Sequence, residues 1–310
     1  MKRRRPPPRS LRQRRKSGVG APPLTVLDEF SEQSLSAWLR TADNLRSLHS
    51  ALHFGLEEQR QQVGSALEAA LQEAATGSFT IEGWSRIVDY RFSLSPLSVR
   101  GSLSGDGGRF NIGSELNAAS FTPFPALYIG ADYETAFSEK FGHSPTHCSG
   151  GLTPIDLALR KPGSFTHISL RGRVETVLDV MSAAALEPFI KVIRKFLVPF
   201  GAMQKARKFG SAAPGLIRST DVLMAQLVDP DWARAPVQFD LPSNSQVFGR
   251  IAVAAGLHAI LYPSARIEGK RCLALFPQNW EGSDCFIEIS DGAPEGARAI
   301  RIDASTWAGD

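Results

Sequence analysis

Nowhere do about 18 apolar side chains follow one another, the length that a membrane-crossing helix needs. Nothing in this sequence therefore reads as a helical membrane span. Cysteine is nearly absent: Cys148, Cys272 and Cys285 are an odd number, and none stands in a CxxC pair. That argues against a disulfide framework or a zinc module and fits a reducing, cytoplasmic setting. No GxGxxG follows a strand pattern and no Walker loop occurs, so the usual routes to nucleotide binding are missing. No GxSxG marks a serine-hydrolase nucleophile. Internal repeats are missing too. The basic N-terminus is followed by no apolar stretch, which excludes reading it as a secretory signal.

What is present begins with an uneven charge. The net charge is +4, yet residues 1–16, MKRRRPPPRSLRQRRK, hold nine Lys or Arg and no acid. The remaining chain has 26 basic residues against 31 acidic ones. The positive balance belongs to a tail. Its three consecutive prolines and few apolar residues predict a disordered, solvated arm over 1–24. Charge alone would let it touch nucleic acid or a membrane surface, but no other feature supports either contact.

Residues 25–77 read as a helical extension. Phe30, Leu35, Trp38, Leu39, Leu45 and Leu48 suit one buried face, Val63, Leu67, Ala70, Leu71 and Ala74 another, and Gly55 is expected to separate two helices. From Ser78 the texture changes. FTIEGWSRIVDYRFS and PALYIG read as strands, and 93–108 as loop. ADYETAFSEKFG reads as a helix with Asp132 as N-cap and Gly142 as C-cap. Alternation predicts strands over 155–159 and 165–170. SAAALEPFIKVIRKFL reads as a helix with Leu186, Phe189, Ile190, Ile193 and Leu197 inward. Two further helices fall at 220–228 and 243–256, and HAILYPS and CLALFP are core strands. This order is α+β and not a βαβ series.

The stretch GDGGRFN sets glycines directly before Arg109, Phe110 and Asn111. A turn needs the glycines but not the cation. A site that brings backbone close to an anion uses both. Tyr128 lies in PALYIG, Glu139 eleven residues on in the next helix, and Ser264 ends HAILYPS. Arg91, in VDYRFS, is a further candidate anion ligand. Taken singly, each has an ordinary reading: a surface arginine, a half-buried strand tyrosine, a solvated glutamate, a turn serine. His143 and His147 are four apart beside Cys148, but Pro145 between them spoils a helical metal pair. The expectation is no metal.

In combination, GGRFN, ALYIGADYETAFSE, FGRIAVAAGLHAILYPSAR and CLALFP resemble the RES domain, the toxin of RES–Xre toxin–antitoxin pairs. Arg109, Tyr128, Glu139 and Ser264 fall in order on that family's motif positions. Two departures stand out. The interval of 19 residues from Arg109 to Tyr128 is longer than usual, with ELNAASFTPFP as the apparent insertion, and Phe110 stands where Trp is common. The resemblance implies an ADP-ribosyltransferase-like split β core with flanking helices over 78–280, between the helical extension and a C-terminal extension, 281–310. It implies degradation of NAD+ as substrate, with no cofactor. Glu139, Arg109, Tyr128 and Ser264 would be catalytic; Arg109, Asn111, Tyr128, Ser264 and Arg91 would bind the dinucleotide. The implied partner is an Xre-type antitoxin protein, and an assembly of identical copies is left open. The alternatives are transfer of ADP-ribose to a protein and a non-catalytic nucleotide-binding module.

Overall fold

The computed structural model describes residues 32–117, 119–142, 164–234 and 236–308. The basic arm, the strand expected at 155–159 and the His143–Cys148 stretch lie outside these. The chain divides into two compact units, Met1–Asp43 and Asn44–Asp310. In the first, Trp38 and Leu39, expected on a buried face, are exposed. Apart from the start of the helix Glu32–Gln62, all that follows concerns the second.

Helix α1 (Glu32–Gln62) runs through Gly55 without a break. The expected separation is corrected: the helix yields at Val63, and α2 (Gly64–Ala74) follows. Gly55 serves close approach instead, since a Cβ there would stand 2.5 Å from Pro199 Cβ. Helix α2 buries Leu67 and Leu71 almost completely.

Strand β1 (Phe79–Asp89) is followed by a hairpin of β2 (Gly107–Gly108) and β3 (Asn111–Ile112), then β4 (Leu127–Gly130) and α3 (Tyr133–Phe141). Asp132 caps α3 as expected, its carboxylate accepting Thr135 N–H at 2.8 Å, and Gly142 closes it in the left-handed conformation. Strands β5 (Phe165–Val174) and β6 (Val177–Asp179) precede four helices, α4 (Ala183–Ile193), α5 (Phe200–Phe209), α6 (Thr220–Leu227) and α7 (Asn244–Ala254). Leu197, expected inside α4, lies beyond its end and is exposed. Ser243 opens α7 with a reciprocal capping box to Gln246. Strands β7 (Ala259–Pro263), β8 (Arg271–Leu275), β9 (Phe286–Asp291) and β10 (Arg301–Asp303) complete the chain.

Among the described residues, eight strands form one sheet in the order β10-β9-β5-β1-β4-β8-β7-β6, antiparallel throughout except for the parallel β6–β7 pair. Its faces feed different cores because side chains alternate along a strand. Ile260, Tyr262 and Ala274 join Phe248, Leu186 and Leu71 on the helical side. Ala259, Leu261, Leu273 and Leu275 join Ile81, Trp84 and Trp280 on the other.

The sheet is split in the middle. β1 pairs with β5 from Phe79↔Val174 to Asp89↔Phe165, but with β4 at Ser85↔Gly130 alone. Where β1 and β4 part, the Arg86 guanidinium replaces the ladder, Nη1 donating to Tyr128 O at 2.9 Å. This is the α+β split β core expected from the sequence, and the parting of its strands makes room for a cleft. Among the described residues no helix is long and apolar enough to cross a membrane.

Candidate functional site

A cleft of about 450 Å³ opens beside the β1–β4 split. The β2–β3 hairpin, with Arg109 and Phe110 at its turn, forms one wall. It is held by tight local packing. A Cβ at Gly108 would stand 2.7 Å from the Tyr128 ring and hydroxyl, and Gly107 adopts φ +93°. Glycine is required at both positions, which answers the question raised by GDGGRFN: the turn is pressed against a tyrosine.

That tyrosine, Tyr128, is locked. Its hydroxyl donates to Asn111 Oδ1 at 2.9 Å and accepts Phe110 N–H at 2.8 Å. Burial pushes its pKa well above the usual phenol value, so it stays neutral. Its ring lines the cleft. Asn111 lies wholly inside, off the cleft wall. Its Nδ2 donates to Ser102 O at 2.7 Å and Phe124 O at 3.1 Å, while Oδ1 accepts Gly108 N–H at 2.9 Å and the Tyr128 hydroxyl. All four of its hydrogen-bonding positions are filled by protein.

Arg109 lines the cleft and is buried. Its Nη1 donates to Asp229 O at 2.6 Å and Leu227 O at 3.3 Å, at the C-terminal end of α6. The carbonyls at a helix end lack intrahelical partners and carry partial negative charge, so a cation is well placed there. The bond also fixes the segment that brings Pro230 and Trp232 to the cleft.

The opposite wall carries Glu139, half-buried on α3. Both of its hydrogen bonds fall on Oε1, from Ser264 Oγ at 2.6 Å and Ala265 N–H at 2.7 Å. Ser264 itself does not line the cleft. Its hydroxyl also accepts the N–H groups of Arg266 and Ile267, each at 3.1 Å. It thus ties the turn after β7 to the carboxylate on α3. Asp132 accepts Lys270 Nζ at 2.5 Å, a second tie between the same segments.

Charge in the cleft is lopsided. Among the described residues, Arg86, Arg91, Arg109, Lys140 and Arg266 line it against Asp89 and Glu139. Asp89 is engaged, 2.7 Å from Lys140 and 3.7 Å from Arg91. Arg91 is otherwise exposed and sits over the Phe92 ring. Among the described residues, Arg86, Arg109 and Arg266 meet no carboxylate within ion-pair distance. Arg86 is the residue that sequence reasoning missed. Burial lowers its pKa to about 10, and only carbonyls receive it: Tyr128, Pro96 at 2.8 Å and Ser98 at 3.1 Å. Its signal was an arginine in a strand pattern, between Trp84 and Ile87, where a cation needs a reason. Trp232 was missed as well, since the loop after α6 carried no motif.

The structure thus brings Arg109, Tyr128, Glu139 and Arg91 to one cleft, and places Asn111 and Ser264 one step behind its walls. Cationic side chains without anionic partners, glycine-flanked backbone and a fixed carboxylate suit a ligand that carries phosphate together with a centre that develops positive charge.

A sequence model of the RES domain matches residues 84–295. Among solved structures, the chain is similar to one in the crystal structure of the M. tuberculosis MbcT–MbcA toxin–antitoxin complex. The TM-score is 0.43 at 14% identity, over 79% of this chain and 96% of that one. No curated protein matches the chain. With more than half of its length matched by the family, this chain belongs to the RES domain family.

Proposed function

We propose that this protein is an enzyme that cleaves NAD+ at the bond between nicotinamide and ribose. The observation that carries the reading is Glu139: a carboxylate held through one oxygen, on the wall of a cleft where Arg86, Arg109 and Arg266 meet no carboxylate among the described residues. The cleft volume lies in the range of small-molecule sites, roughly 300–1,000 Å³.

Arg109 and Arg86 serve the pyrophosphate. Two desolvated guanidiniums whose partners among the described residues are carbonyls gain more from a dianion than solvated ones would. The Tyr128 hydroxyl is already committed, so its ring face is what meets the nicotinamide or ribose. When the C1′–N bond breaks, its electron pair goes to the pyridinium ring and neutral nicotinamide leaves. No acid is needed to protonate it. The ribose carbon takes on oxocarbenium character opposite the Glu139 carboxylate, which stabilises that charge. Water adds to C1′ and loses a proton, giving ADP-ribose. Ser264 acts through Glu139, fixing the carboxylate and touching no substrate.

If a protein side chain replaces water, the same geometry transfers ADP-ribose. The acceptor decides between hydrolase and transferase, and Glu139 serves both. A toxin restrained by an antitoxin protein, Xre-type by sequence resemblance, is the biological setting we infer. NAD+ labelled in its adenylate, incubated with the purified chain with and without cell lysate, tests the reading. Free labelled ADP-ribose is expected. Labelled protein would favour transfer, and intact NAD+ in both samples would favour a non-catalytic module.

A further inference from the structure

The cleft occupies one end of the sheet. At the other, β5 ends at Val174, β7 begins at Ala259 and β9 begins at Phe286. The residues adjoining these three strand ends are Glu175, His258 and Cys285. Their potential ligand atoms all lie within 4.8 Å of one another. Cys285 Sγ is 3.1 Å from His258 Nδ1. The thiol and the imidazole are buried, and the carboxylate is half-buried.

Each group is oriented by its surroundings. The Glu175 backbone N–H donates to Cys285 Sγ at 3.3 Å. The Glu175 carboxylate accepts Asp284 N–H at 3.4 Å through Oε1. The His258 main chain is pinned on both sides, to Thr176 O and by Phe276 N–H, each at 2.9 Å. Metal-binding carboxylates are held by outer partners that fix their orientation.

We propose that Glu175, His258 and Cys285 form a binding site for a divalent cation of the zinc class, which ties three strand ends of the sheet together. A sulfur, a nitrogen and an oxygen donor suit a borderline-soft ion. With metal–ligand bonds of about 2.0–2.3 Å, tetrahedral donors stand roughly 3.3–3.6 Å apart. The Sγ–Nδ1 pair is already slightly closer than that, and the carboxylate oxygen lies within 4.8 Å of both. On binding, the Cys285 thiol loses its proton to solvent and the sulfur–metal bond forms with no change in oxidation state. Thiolate and carboxylate together neutralise the dication, and water completes the fourth position.

The alternative is a simple thiol–imidazole hydrogen bond, with the Glu175 carboxylate accepting only the Asp284 N–H. The two readings differ in whether the three donor atoms, gathered within 4.8 Å of one another, meet on one ion. The sequence hid the site because its donors come from segments far apart: 27 residues separate Cys285 from His258, and 110 separate it from Glu175.

The test is a cobalt(II) titration of the full-length chain, stripped with chelator and reductant. One equivalent should give a thiolate-to-cobalt charge-transfer band with the intense visible bands of four-coordinate cobalt, and zinc should displace it. Cys285→Ser should abolish the charge-transfer band. Glu175→Gln keeps an oxygen for the Asp284 N–H, and should weaken zinc by more than the roughly tenfold that loss of an outer partner costs. Zinc should raise the wild-type melting temperature and leave that of Cys285→Ser unmoved. Cys148→Ser, which alters the competing His143–His147–Cys148 stretch, should behave as wild type. The proposal is overturned by the lack of a thiolate band at one equivalent, or by a band that survives Cys285→Ser and vanishes in Cys148→Ser. If Cys285→Ser does not fold, unchanged zinc affinity in Glu175→Gln overturns it equally.

Discussion

The two walls of the cleft use hydrogen bonds to opposite ends. On the hairpin wall, Asn111 spends every donor and acceptor on protein groups, and the Tyr128 hydroxyl joins it to the Phe110 backbone. On the helix wall, Glu139 is gripped at Oε1 only, by one hydroxyl and one backbone N–H. The first wall is a frame and the second is a mounting. A polar side chain with no capacity left fixes shape. One held at a single atom offers the remainder to a ligand. Losses on the hairpin wall should therefore appear as instability, and losses on the helix wall as lost rate.

The largest effect is expected at Glu139. Glu139→Gln is nearly isosteric, and its amide oxygen can still accept from Ser264 and Ala265. Nicotinamide release should fall ~10²–10³-fold with an unchanged melting temperature. A variant that loses its fold instead would place Glu139 in the frame.

Asn111→Ala comes next, on the other wall. It strands two buried carbonyls, a backbone N–H and the Tyr128 hydroxyl, each costing about 1–3 kcal/mol when unsatisfied, partly recovered by relaxation and water. A net loss of about 3 kcal/mol in denaturant unfolding is expected. Reduced activity at full stability would mean that Asn111 serves substrate and not shape.

Ser264→Ala should lower kcat roughly tenfold with little change in KM, because Ala265 N–H still holds Glu139 while the stronger, hydroxyl bond is gone. A rise in KM alone would put the hydroxyl on the substrate. The smallest effect belongs to Tyr128→Phe. It keeps the ring on the cleft and removes two hydrogen bonds, so stability should drop by about 1–2 kcal/mol while turnover per folded molecule stays within about twofold.

Much of this was legible in the sequence because the signals were local. Asp132 and Gly142 bracket α3 through short-range capping, and Ser243 opens α7 in the same way. Alternation placed β7 and β8. Glu139 and Arg109 could be singled out because their motifs are contiguous. What escaped depends on contacts between distant segments. Gly55 looked like a break, but its neighbour is Pro199. Arg86 stood in a strand pattern, but its role follows from the parting of β1 and β4, which no local signal announces. Asn111 was expected to bind the dinucleotide and Ser264 to bind it and take part in catalysis. That they face Tyr128 and Glu139 and do not line the cleft depends on side-chain partners 17 and 125 residues away.

The most direct test reads NAD+ binding and nicotinamide release on the same samples of wild-type protein and Glu139→Gln. Both should bind NAD+ with comparable affinity, because Arg86 and Arg109 are intact in each. Only the wild type should release nicotinamide, and it should do so over many turnovers. Equal release by both proteins, or binding by well-folded wild type without any release, would contradict the account.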